Sequence, residues 1–283
     1  MTVLGKYELL EGESIGGQAK VLAGRRLLDG KPVAIKVIMG TGNESEKDIA
    51  NDLYELELGI LKKLRGVPNV IQLLDFGFDE HLKENVIILE WMATSLADRL
   101  ERTPGVMTEN EWIKLSRKLI SSVSKAHSRS IAHRDIKPAN IMFRTNSPTD
   151  WDCVLIDFGI SKFVGFDEVD PNLTMREYRT PAYSSVNYLE EEDFSRDIFG
   201  LSAVMIRLRV DQDFGVNFTV QDAIKRLMAQ PNINPKYVPV LKQGVEPDSI
   251  RRYKTIKEFN SALAGQGNSD SPSSSTKFFT LVL

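Results

Sequence analysis

Eight consecutive residues, His133-Arg134-Asp135-Ile136-Lys137-Pro138-Ala139-Asn140, are followed seventeen residues after that Asn by Asp157-Phe158-Gly159. No other feature constrains this chain as strongly. The first string puts an Asp, a Lys two residues on and an Asn five residues on into one tight loop. Asp135 can accept a proton from an attacking hydroxyl, Lys137 can neutralise a phosphoryl group in transit, and Asn140 can hold a metal ion. Asp157 supplies a second ligand for Mg²⁺. Phosphoryl transfer needs little covalent chemistry from a protein. It needs in-line positioning and positive charge around three equatorial oxygens, hence one base, two metal ligands and a cation at fixed spacing.

With these strings the chain resembles the eukaryotic-type (Hanks-type) serine/threonine protein kinases over residues ~5–265. Its compact C-terminal half is similar to bacterial members, stand-alone or N-terminal in their chains. The resemblance implies an α+β, two-lobed fold. A small antiparallel β-sheet lobe with one helix is expected over residues 1–92 and a larger, mainly helical lobe over 93–265. A flexible Ser-rich tail, ending in an apolar segment, follows at 266–283. ATP and Mg²⁺ are the implied cofactors, and a protein carrying Ser or Thr the implied partner.

Composition agrees. At 283 residues, with 42% hydrophobic and 27% charged side chains, the chain can build two sizeable cores. A net charge of −3 argues against nucleic acid, which selects basic surfaces. One cysteine, Cys153, excludes an intrachain disulfide and suits a reducing cytoplasm. No apolar stretch approaches the ~18 residues of a membrane span, and the N-terminus lacks the apolar run of a signal peptide. A cytoplasmic protein with no membrane partner is expected.

Residues 5–38 alternate strand-like runs with turns, and Asp29-Gly30 between two such runs is a hairpin signal. Val33-Ala34-Ile35-Lys36 matches the family's third-strand motif. A Lys inside an apolar strand needs a carboxylate partner. The periodic stretch 46–65, apolar at Ile49, Leu53, Leu56, Ile60, Leu61 and Leu64, predicts the helix that supplies it. Aligned with the family, Glu57 is that partner. Glu55 is the competitor and points about 200° away around the helix. The Gly-rich loop is degraded: Ser14-Ile15-Gly16-Gly17-Gln18-Ala19-Lys20-Val21 keeps only the second family glycine, Gly16, with Gly17 beside it. By family correspondence Ser14, Ile15, Gly16 and Gly17 cover the phosphates. Val21, Ala34 and Met142 sandwich the adenine, Leu89 is the gatekeeper, and the Glu90 to Met92 backbone bonds the adenine edge. Leu61, Leu74, His133 and Phe158 match the apolar stack that joins the lobes.

An amphipathic helix is expected over 109–129, leading into the 133–140 loop. His127 on it reads as a packed, hydrogen-bonded core histidine, and His81 as a surface residue. Lys137 and the later Thr180-Pro181 imply serine/threonine specificity, with Thr180 bonding Asp135 and Lys137. Arg134 implies a basic pocket for a phosphate on the Asp157–Asn187 segment, and Thr174 is the candidate phosphosite, modified through transient self-association. The family's A-P-E is Ser185-Val186-Asn187 here, so the ion pair of its Glu with Arg252 is absent or replaced. Asp197 opens the central helix and caps the 133–140 loop. Glu190-Glu191-Glu192-Asp193 before it reads as a solvated face. A second D-F-G, Asp213-Phe214-Gly215, has no catalytic loop upstream and reads as a turn. Short helices are expected near 220–229 and 254–264. Beyond them, Lys277-Phe278-Phe279-Thr280-Leu281-Val282-Leu283 is open to three readings: the start of a domain, a docking peptide or an added strand. Two rivals stand beside the kinase reading. A nucleotide-binding pseudokinase acting as a scaffold would explain the degraded Gly-rich loop and lost A-P-E. A small-molecule kinase would usually lack Thr180-Pro181-Ala182-Tyr183.

Overall fold

The computed structural model describes residues 1–265 apart from 16–18, 40–43, 104, 159–161, 164–182, 185–192, 211, 216–217 and 230–233. Six antiparallel strands form the first lobe: β1 (Thr2–Val3), β2 (Tyr7–Ile15), β3 (Ala19–Arg26), β4 (Pro32–Ile38), β5 (Leu73–Asp79) and β6 (Glu84–Glu90). Their order in the sheet is β1-β2-β3-β4-β6-β5. The β3–β4 hairpin turns through Leu28-Asp29-Gly30-Lys31, as its sequence predicts. Gly30 takes φ +69°, open to a residue without Cβ, and the Asp29 carboxylate pairs with Arg26 at 2.5 Å. The sheet's two edge strands lie near each other. Asp79 on β5 accepts the Leu4 N–H at 2.6 Å, and Asp75 accepts Lys6 at 2.9 Å and the Tyr7 hydroxyl at 3.2 Å.

Alternation in β4 divides its side chains between two faces. Val33, Ile35 and Val37 join Leu22, Val86 and Ile88 in a small core of this lobe. Ala34 and Lys36 are half-buried on the other face. Their cross-strand partners Ala23 and Val21 on β3, and Leu89 and Ile87 on β6, share that face.

Helix α1 (Glu44–Leu64) connects β4 to β5. Its buried side runs through Tyr54, Glu57, Leu58, Leu61 and Leu64. The expected stripe through Ile49, Leu53 and Leu56 is rotated outward: Ile49 is exposed, and Leu53 and Leu56 are half-buried. The tertiary contact that fixes the rotation is a charged one, at Glu57.

The second lobe contains β7 (Thr94–Ser95), α2 (Leu96–Arg102), α3 (Glu109–His127), β8 (Ile131–Ala132), β9 (Ile141–Phe143), β10 (Cys153–Leu155), β11 (Lys162–Phe163), α4 (Asp193–Arg207), α5 (Val220–Met228), α6 (Tyr237–Gly244) and α7 (Ile256–Gly265). Helices α2, α3 and α5 each begin with a capping box, Ser95 with Asp98, Thr108 with Glu111 and Thr219 with Asp222. Helix α4 lies in the middle of the core. Ile198, Leu201, Ala203, Val204, Met205 and Ile206 are all fully buried. Strands β9 and β10 pair with each other, and β8 pairs with β11. Among the described residues no helix is long and apolar enough to cross a membrane.

The lobes are also joined through the backbone. The Ile71 N–H donates to the Leu155 carbonyl at 3.0 Å, and the Leu155 N–H donates to the Asn69 carbonyl at 2.9 Å. The 65–72 loop of the first lobe is thereby tied to β10 of the second.

Candidate active site

Lys36 reaches from β4 to α1 and places its ammonium 2.7 Å and 2.8 Å from the two oxygens of Glu57. Its second partner is Asp157 from the other lobe, at 3.3 Å. Burial alone would lower the Lys36 pKa, but the charges of Glu57 and Asp157 outweigh it and hold the ammonium above the usual lysine range. The Lys36 charge in turn holds Asp157 below the usual carboxylate range. Glu57 is 4% exposed, whereas Glu55 faces solvent. The α1 register is the one the sequence favoured.

The 133–140 loop is set from below by one carboxylate. Asp197, in the first turns of α4, accepts the backbone N–H groups of His133 at 2.8 Å and Arg134 at 2.7 Å, and meets His127 Nε2 at 2.8 Å. Burial works to raise Asp197, yet these partners keep it below the ordinary carboxylate value. Arg134 stands at φ +72°, a left-handed backbone that a residue with a Cβ adopts at a cost and that the Asp197 bond secures. Asp157 in the neighbouring loop has φ +61°. His127, stacked on Phe194 at 4.1 Å, is the packed, hydrogen-bonded histidine expected, and His81 is exposed. His133 is a scaffold residue: its Nε2 meets the Ile156 carbonyl at 2.8 Å, and its ring lies 4.6 Å from that of Phe158.

Within the loop, Lys137 sits 2.6 Å from Asp135. Asn140 spends its amide N–H groups on Asp135, on the carbonyl and the carboxylate, both at 2.9 Å. The carbonyl oxygen is therefore the ligand atom Asn140 can offer. Ile156, next to Asp157, donates its N–H to the backbone carbonyl of Asn140 at 2.9 Å, so the two metal-ligand candidates are held in register. Burial raises the Asp135 carboxyl above its ordinary range against the pull of Lys137, and the Asp157 charge also raises it. Among the described residues no cluster of three or more His, Cys, Asp or Glu could hold a metal. One carboxylate and one amide oxygen, completed by phosphates and water, is the donor set Mg²⁺ prefers, and it fits here.

Val21, Ala34 and Leu89 lie on the cleft face of the first lobe. Met142 is the half-buried residue of β9, between the buried Ile141 and Phe143. The hinge is pinned from behind. The Glu90 N–H donates to the Gln72 carbonyl at 3.1 Å, and the Glu90 carboxylate takes Arg144 at 2.9 Å and 3.1 Å and the Gln72 N–H at 3.0 Å. Met92 is buried beside it.

The sequence matches the protein kinase domain over residues 11–255, most of the chain. This chain belongs to the protein kinase domain family. The kinase domain is 30% identical over 243 residues to serine/threonine-protein kinase pkn3 of Myxococcus xanthus, covering 81% of this chain and 42% of that one. It is 29% identical over 228 residues to serine/threonine-protein kinase TIO of Arabidopsis thaliana, covering 80% of this chain and 16% of that one. The chain thus spans less than half the length of either relative. A crystallised kinase domain shares the two-lobed fold, with a TM-score of 0.70 at 14% identity over 92% of this chain and 95% of that one.

In one respect the kinase domain corrects its sequence reading. Leu73, not Leu74, joins Leu61 and Phe158 in the core that runs between the lobes, while Leu74 packs against the small sheet core. Neighbouring strand residues face opposite ways, and the β5–β6 register shifts between Leu73 and Asp75, so a slip of one residue exchanges the faces. Several expectations lie outside the described residues: Gly16, Gly17, Thr174, Thr180, the acids at 190–192, the 185–187 substitution and the apolar tail. Ser14 and Ile15 belong to β2 and pair with Val21 and Lys20. Arg252, whose family partner is an A-P-E Glu, is 2% exposed. Its guanidinium donates to the carbonyls of Glu246 at 2.6 Å and Ser195 at 3.1 Å and lies over the Phe199 ring.

Sequence reasoning passed over the Glu90–Arg144 pair and the cleft-facing Ala23. Ala23 could have been found as the cross-strand neighbour of Ala34. Arg144 had no local signal.

Proposed function

We propose that this chain binds ATP with Mg²⁺ between its lobes and transfers the γ-phosphate to Ser or Thr hydroxyls of proteins. The observation that carries the reading is the meeting of two ion-pair systems from different lobes. Lys36 with Glu57 and Asp157 forms one, and Asp135 with Lys137 and Asn140 the other. In this reading Lys36, kept charged by its two carboxylates, orients the phosphates. Asp135 receives the acceptor hydroxyl's proton at its carboxylate, and burial gives it more basicity than an exposed Asp. Lys137 places positive charge where the transferred group passes. Asn140 and Asp157 would hold Mg²⁺, which neutralises phosphate charge when bound. Val21, Ala34, Leu89 and Met142 grip the adenine, and the Glu90 to Met92 backbone reads its edge. Ser14, Ile15, Gly16 and Gly17 cover the phosphates.

The division at 92/93 into a nucleotide lobe and a substrate lobe belongs to the same proposal. So do Ser/Thr specificity through Lys137 and Thr180, autophosphorylation at Thr174 read by Arg134 through transient self-association, and a cytoplasmic site of action. A buried Cys153, whose thiol burial pushes up to about 12, is compatible with that compartment. The test is incubation with labelled ATP and Mg²⁺ followed by mass spectrometry, beside an Asp135→Asn variant. Transfer by the wild type and loss in the variant, with nucleotide binding nearly unchanged, is the expected result. Undiminished transfer by Asp135→Asn would overturn the assigned base.

A further inference from the structure

Asp213-Phe214-Gly215, the second D-F-G, is left unused by the chemistry above. It meets a residue of the segment expected to receive the peptide. Tyr183, three residues after Thr180, is 7% exposed. Its hydroxyl donates to Asp213 Oδ1 at 2.7 Å, and its ring lies 5.2 Å from that of Phe214. The same Asp213 oxygen accepts the Phe214 N–H at 2.9 Å and stands 3.5 Å from Arg207 Nε at the end of α4. Arg207 also donates to the Val210 carbonyl at 2.9 Å, which ties the chain leaving α4 back to the helix. The Gly215 N–H donates to the Phe218 carbonyl at 2.9 Å and closes the loop ahead of α5.

We propose that Asp213 and Phe214 form a clasp on Tyr183 that positions the peptide-binding segment. They are positioning residues for the protein substrate and have no part in binding nucleotide. The inference rests on the kinase reading above. One feature of the fold supports it: α4 holds both parts of the substrate machinery. Asp197 near its start fixes the 133–140 loop, and Arg207 at its end stands 3.5 Å from the acid that accepts the Tyr183 hydroxyl. Geometry set at one end of a rigid, buried helix is thereby shared with the other. A loosened clasp would leave Lys36, Asp157 and the hinge in place while letting the acceptor drift.

Tyr183→Phe removes one hydroxyl and keeps the ring, and Asp213→Ala removes its acceptor. Each should raise the KM for dephosphorylated casein about tenfold, in keeping with loss of a hydrogen bond to a charged group. The KM for ATP should stay within about twofold, and the double variant should be no worse than Asp213→Ala alone. Asp213→Glu should restore part of the loss. Amide hydrogen exchange of the peptide spanning Tyr183 reads the clasp without any phosphate transfer, and it should quicken in both single variants. Unchanged exchange overturns the clasp. Quickened exchange with an unchanged casein KM overturns its positioning role. A wild type that transfers no phosphate refutes the kinase reading instead, and the exchange measurement then decides the clasp alone.

Discussion

Gly200 on α4 offers a direct test of how the 133–140 loop is held. A Cβ built there would stand 2.8 Å from the Ile136 carbonyl oxygen and 3.1 Å from the Ile136 Cβ. Relaxed carbon–oxygen contacts lie at about 3.3–3.6 Å, so Gly200→Ala demands a shift of roughly 0.5–0.8 Å. Helix α4 is buried through Ile198, Leu201 and Val204 and cannot easily retreat, so the loop must move. Ile136 lies between Asp135 and Lys137, and both would follow it. A misplacement of ~1 Å can cost a hundredfold in rate, so about 10–30-fold in kcat is expected, equivalent to ~1.4–2 kcal/mol of barrier. Stability should change less. Overpacking costs about 1–3 kcal/mol, and replacing a helical glycine by alanine returns about 0.8–1 kcal/mol, for a net loss of roughly 0–2 kcal/mol. The assay is steady-state transfer at saturating ATP and acceptor, with Tm measured on the same preparation. KM for ATP should change less than kcat, because Lys36 and Glu57 belong to the other lobe. Full kcat with a raised Tm would refute the reasoning, since it would show that the loop does not rest on α4.

Three other outcomes follow from the same geometry. Glu57→Gln should cut kcat by slackening Lys36, and Lys36→Ala should cut it further with a smaller effect on ATP affinity. Glu55→Gln, at an exposed position, should match wild type, and a damaging Glu55→Gln would displace the α1 register. For pH, the carboxylate form of Asp135 is the base, so activity is lost as pH falls through a pKa that burial has raised. Lys137 opposes that rise, so in Lys137→Ala the acid limb of the kcat–pH profile should move to higher pH, and a limb that stays put would deny Asp135 the role. On regulation, Thr174 lies outside the described residues. Phosphate there should pair with Arg134 and order the segment by about 1–3 kcal/mol, so activity should rise with phosphorylation and fall in Thr174→Ala or Arg134→Ala. Full activity with the segment unmodified, as mapped by mass spectrometry, would refute this.

The residues that carry chemistry were legible because phosphoryl transfer fixes their spacing within a single loop. Asp135, Lys137 and Asn140 bond one another across five positions, and such a pattern survives in the bare sequence. Lys36 was legible for a different reason. A cation in an apolar strand must be paired, and only one register of α1 buries a carboxylate. Where the sequence reading slipped, the deciding contact was distant or a single step in register. The β5 irregularity exchanged Leu73 for Leu74. Helix α6 begins at Tyr237 after Lys236, which gives no side-chain cap, and it carries Pro239, so nothing local announces it. Helix α2 does announce itself through Ser95 and Asp98, a signal that was there to be used.

The contacts that hold the chemistry in place cross much longer gaps. Arg144 reaches Glu90 over 54 positions, Asp197 reaches Arg134 over 63 and Lys36 reaches Asp157 over 121. None of these pairings is implied by periodicity or by turn chemistry. Asp213 shows the consequence. Read locally, Asp213-Phe214-Gly215 is a turn. In the structure Gly215 bridges to Phe218, and the fold sets Tyr183, in the segment expected to receive the substrate, against Asp213 across 30 positions. The groups that react are specified by short-range sequence, and the groups that aim them by long-range packing onto α4. Substitutions along α4, at Asp197, Gly200 or Arg207, should therefore change rate while leaving every reacting group intact.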